Sequence, residues 1–78
     1  MQNKQTERLT ELQKLLTICP ADVLTRSDLA LLLEELDRPD EALSHWKTVL
    51  DFDPYNLKAR EGVNRCRRPT GRPIQAQM

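Results

Sequence analysis

The chain has 78 residues, of which 38% are apolar, 31% charged and 4% aromatic, and its formal net charge is zero. A chain this short makes one small domain, and a single core of that size contributes only about 3–5 kcal/mol, too slight a framework for a deep catalytic pocket. No apolar run approaches the ~18 residues of a membrane helix, and no apolar segment follows residues 1–5 as a signal peptide requires. The expectation is therefore a non-catalytic, cytoplasmic domain without a membrane span.

Four segments carry helical periodicity. Residues 1–5 read as a flexible lead-in. The first helix runs from about Thr6 to Ile18, with Leu9, Leu12, Leu15 and Leu16 on one face; Pro20 ends it. The second runs from about Val23 to Leu36, capped by Asp22, with Leu29, Leu32, Leu33 and Leu36 as its apolar stripe. Asp37-Arg38-Pro39 is the break. The third runs from about Pro39 to Phe52. Proline suits its first position, and Asp40 and Glu41 suit the positive end of the helix dipole. Ala42, Leu43, Trp46, Val49 and Leu50 form its buried face. The fourth runs from about Asn56, its cap, to Arg67, with Leu57, Ala59, Val63 and Cys66 on the apolar side. Gly62 should weaken that helix by roughly 1 kcal/mol relative to alanine. Residues 68–78, rich in proline, arginine and polar side chains, read as a disordered basic tail. No alternating β-branched run or tight hairpin turn argues for strands.

The charges are unevenly placed. Residues 1–20 sum to +1, residues 21–54 to −6 and residues 55–78 to +5. Such asymmetry speaks about partners more than about fold. Cys19 and Cys66 cannot make a four-ligand zinc site, and the lone histidine, His45, lies on another segment. No metal or cofactor is expected. The two cysteines read as small buried apolar residues in a reducing compartment, with a disulfide as the alternative. His45, adjacent to an inward Trp46, should face outward. Phe52 and Tyr55 should pack near Pro54.

The chain repeats itself. Pro20 and Pro54 are 34 residues apart, and the same offset relates Asp22 to Asn56, Leu9 to Leu43, Leu12 to Trp46, Leu15 to Val49, Leu16 to Leu50, and Leu29 to Val63. A helix-ending proline, the following cap and a whole apolar stripe recur together. Helix pairs at a 34-residue period have the spacing of tetratricopeptide repeats. The stretch from Val23 to Asn56 resembles one complete repeat of that family. Ala42 stands at the small crossing position of the second helix, Trp46 at the aromatic one turn later, Pro54 at the closing proline and Leu29 at the leucine of the first helix. The sequence departs from the pattern at Arg26, Ala30, Leu33 and Val49, and Arg8 stands where the preceding unit should have a small residue.

The resemblance implies an all-α fold of about four helices, with antiparallel hairpins stacked as a short α-solenoid over residues 6–67. It also implies a protein–protein interaction module that takes a peptide or partner subunit in the groove of its first-type helices. The groove positions of the central repeat are Leu24, Ser27, Asp28, Leu31, Glu34 and Glu35. Two leucines among acids suit a ligand with apolar anchors and basic flanks; the alternative is that they pack on neighbouring helices beside a solvated acidic face. Arg65, Arg67, Arg68 and Arg72 form a basic end. It could bind an anionic surface or nucleic acid, dock on the acidic middle of a second copy, or simply keep the chain soluble. Without interleaved aromatics, nucleic acid is disfavoured as a partner. Repeat arrays usually need three units for stability, so a homo-oligomer is also expected as an option.

Overall fold

The structure, a computed structural model, describes residues 4–67. It contains four helices: α1 (Lys4–Ile18), α2 (Val23–Glu35), α3 (Pro39–Phe52) and α4 (Leu57–Arg67). There is no strand among the described residues. The first helix starts at Lys4, two residues before the expected Thr6. The expected basic tail, 68–78, lies outside the described residues.

Local chemistry sets the helix boundaries. The Asp22 carboxylate accepts from the Thr25 amide at 3.2 Å, and the Asn56 side-chain oxygen accepts from the Ala59 amide at 2.8 Å. Each such cap typically stabilises by about 1 kcal/mol. The backbone of the two turns is the same in detail. Asp22 donates to the Cys19 carbonyl at 3.1 Å, and Asn56 donates to the Asp53 carbonyl at 3.0 Å. Cys19 donates to Leu15, and Asp53 to Val49, at 2.9 and 2.8 Å. The 34-residue offset of the sequence is thus an offset of hydrogen bonds.

The end of α2 is a different device. Asp37 adopts a left-handed conformation, φ 61°. The Arg38 amide donates to the Leu33 carbonyl at 2.9 Å and the Asp37 amide to the Glu34 carbonyl at 3.0 Å. This is the paired pattern of a Schellman cap, usually built on glycine. Pro39 then opens α3 at its first turn, as expected, with Asp40 and Glu41 behind it. No side chain caps this helix; Arg38 instead binds Glu41 through two hydrogen bonds, at 2.9 and 3.2 Å.

Short turns join helices that pack on their sequence neighbours, so the chain runs as antiparallel hairpins. The central helix is α2, which packs on all three others. Helix α3 also packs on α4, whereas the backbone of α1 lies close to neither α3 nor α4. The core gathers Leu12 and Leu16 from α1, Leu29, Ala30, Leu32 and Leu33 from α2, Ala42, Trp46 and Val49 from α3, and Ala59 and Val63 from α4. Trp46 is its largest fully buried side chain. Removing an indole of about 200 Å² from water is worth roughly 5 kcal/mol before ordering costs.

Several inward assignments are corrected. Leu15 is exposed although its counterpart Val49 is fully buried. The reason is neighbours: α3 lies between α2 and α4, while α1 has α2 on one side only. Leu57 is exposed, and so are Phe52 and Tyr55, which do not pack at the repeat junction. Cys19 is exposed and Cys66 half-buried, and both are free thiols. Gly62 also has a role the sequence does not announce. It is buried against Trp46, and a Cβ there would lie 2.6 Å from indole Cδ2 and still nearer Cε2 and Nε1.

Two stability changes follow. Gly62→Ala improves helix propensity yet overpacks the indole, and should lower the urea unfolding free energy by about 1–3 kcal/mol. Asp37→Gly relieves the left-handed backbone and should raise it by up to about 1 kcal/mol.

Candidate functional site

The site residues read from the sequence lie on α2, and the structure divides them. Asp28, Leu31 and Glu35 stand at helical spacing on the side facing the first half of α1. With Lys4, Gln5 and Arg8 of α1, and with Leu32, they line an open cleft of about 280 Å³. Its floor is Leu31 and Leu32; its rim carries both signs of charge. Arg8 approaches Asp28 at 3.7 Å, and the Gln5 side-chain amide donates to Glu35 at 3.3 Å. Both contacts are exposed, so they contribute about 0–1 kcal/mol and a ligand can displace them at little cost.

The other three residues do not join this cleft. Leu24 sits in the first turn of α2, far along the helix and exposed to solvent. Ser27 is buried, at 3% exposure. Glu34 serves the fold. Its Oε2 accepts from Trp46 Nε1–H at 2.6 Å, and Arg65 of α4 donates to both carboxylate oxygens at 2.9 and 3.0 Å. Burial alone would raise the Glu34 carboxyl, but the hydrogen bonds from Arg65 and Trp46 and the Arg65 charge hold it below its ordinary 4.5. Arg65, read as part of a basic end, is thereby paired inside the domain. Arg67 is exposed. Arg68 and Arg72 lie outside the described residues.

A second cleft, of about 210 Å³, lies where α1 and α3 do not meet. Gln13, Leu16 and Thr17 of α1, Arg26 and Leu29 of α2, and His45 of α3 line it. Arg26 ties three segments together. Its Nη2 donates to the Pro20 carbonyl at 2.9 Å, and its Nη1 lies 3.0 Å from His45 Nδ1. A guanidinium only donates, so His45 accepts through Nδ1 and carries its proton on Nε2. His45 is therefore half-buried and engaged, not outward. Burial first, and the Arg26 charge second, push its pKa below the ordinary 6.5, against a partial opposing pull from Glu41.

The cleft-lining residues of α1 escaped the sequence reading. Arg8 was visible as a bulky intruder at a small-residue position, and that was the available signal. Among the described residues, no group of three or more His, Cys, Asp or Glu could hold a metal ion, and no helix is long and apolar enough to cross a membrane. No family model, curated protein or solved structure matches the chain.

The histidine makes a pH prediction. Below pH 6.5 the unfolded chain takes up a proton that native His45 resists. The stability His45 contributes is present above 6.5 and is lost as pH falls through that value toward the lower native pKa. Urea unfolding at pH 7.5 and 5.5 should show this decline, and His45→Gln should remove most of it.

Proposed function

We propose that this chain is a non-catalytic, tetratricopeptide-like interaction module that receives one apolar side chain of a peptide or partner subunit in the cleft between α1 and α2. The observation that carries the reading is the cleft itself: a leucine floor with a rim of Lys4, Arg8, Asp28 and Glu35. At about 280 Å³ it is smaller than most small-molecule sites, which occupy about 300–1,000 Å³. It suits a single Leu- or Met-sized anchor, while the mixed rim suits flanking charges of either sign.

The stacked-hairpin part of the proposal draws on three facts. The two turns share one hydrogen-bond pattern at an offset of 34 residues. The first helix of the central pair, α2, packs on the first helix of the next, α4. The corresponding second helices, α1 and α3, stand apart. Two free cysteines fit a reducing compartment such as the cytoplasm.

Peptides selected on the intact chain from a random display library test the cleft. Leu31→Arg and Asp28→Lys should each weaken the selected peptides at least tenfold by titration calorimetry, with the helical circular dichroism unchanged. Because Leu31 also touches the core, Asp28→Lys is the decisive variant. Undiminished binding by both would remove the cleft from consideration.

A further inference from the structure

The domain has two unlike ends. In an antiparallel layer, the α1–α2 turn and the α3–α4 turn lie at the same end. The large apolar side chains found exposed among the described residues are Leu15, Ile18, Leu24, Phe52, Tyr55 and Leu57, and every one is within five residues of Pro20 or Pro54. Tyr55 is 87% exposed, Ile18 80% and Leu24 78%. The opposite end, formed by the start of α1, the end of α2, the start of α3 and the end of α4, carries Lys4, Glu7, Glu35, Asp40, Glu41 and Arg67.

We propose that the apolar end is a self-association surface on which a second copy of this chain docks, end to end, about a twofold axis.

Two observations select that occupant. The first is area. Large side chains carry about 150–250 Å² each, so at these exposures the six leave on the order of 700 Å² bare. That summed area approaches the ~800 Å² per partner of a standard interface. The second is charge. Exposed residues near the two turns in sequence include Lys14 and Lys58 as well as Asp51 and Asp53. A twofold axis sets each rim residue against a different one of the same set, so a rim of both signs complements itself. A partner with one net sign would leave half of it unpaired.

This surface shares no residue with the α1–α2 cleft, so the two proposals stand or fall separately. Sedimentation equilibrium of the full chain, from micromolar to millimolar concentration, should show twice the chain mass at the high end. Tyr55→Lys and Leu24→Lys each put a desolvated charge into the proposed interface and should each weaken dimerisation at least tenfold. Both positions are exposed, so the helical circular dichroism should not change. Glu7→Lys, at the charged end, should leave the association constant as it is. A single-chain mass at every concentration overturns the proposal, as does a dimer that survives both lysine variants. A monomer that instead co-sediments with neutral phosphatidylcholine vesicles overturns it in favour of a membrane surface.

Discussion

The structure depends on how one indole is housed. Trp46 projects from α3 into a space that α2 and α4 must leave open. Its ring fits because position 62 has no side chain. Its N–H, which would otherwise be stranded in the core at a cost of about 1–3 kcal/mol, finds the Glu34 carboxylate of α2. That carboxylate in turn needs a counter-charge, and Arg65 of α4 provides it through a two-point contact. Burial, hydrogen bonding and ion pairing therefore form one chain of necessity across three helices. Helix α1 stands outside it and attaches to α2 alone.

This arrangement also answers the charge asymmetry. An acidic middle and a basic carboxyl-terminal third look in sequence like two separate binding surfaces. In the folded domain they are partly one contact, because the Glu34–Arg65 pair crosses from one to the other. Of the α2 acids, Asp28 and Glu35 remain exposed and only loosely engaged, on the stretch facing α1. The proposed binding site lies in the cleft between α1 and α2. Stability lives where α2, α3 and α4 converge.

Much of this was legible in the sequence, and the boundary of legibility has a physical cause. Helical period, caps and proline breaks act over four or five residues, so the four helices, the Asp22 and Asn56 caps and the Pro39 start could all be read locally. The 34-residue echo extended that to two identical turns. What could not be read was which neighbour meets a given face. Periodicity gives an angle on a helix but not what stands opposite. Hence Leu15 looked equivalent to Val49 and is not, Ser27 looked like a surface residue and is buried, and Glu34 looked like a free acid and is paired with Trp46 and Arg65. The value of Gly62 was hidden for the same reason, since only the ring sixteen positions earlier explains it. That Arg26 departs from the repeat pattern was visible; its contacts to Pro20 and His45 were not.

The housing of the indole has a practical consequence. Trp46 is the sole tryptophan in the chain, fully enclosed and touching a carboxylate and a glycine backbone. Its near-ultraviolet emission is therefore an intrinsic optical reporter of the α2–α3–α4 junction. It should be blue while that junction is closed and red-shifted once water enters, while remaining blind to α1. Peeling α1 away from the rest would alter helicity without altering colour. The divergence of the two signals would measure how independently the first helix comes and goes, with no label attached.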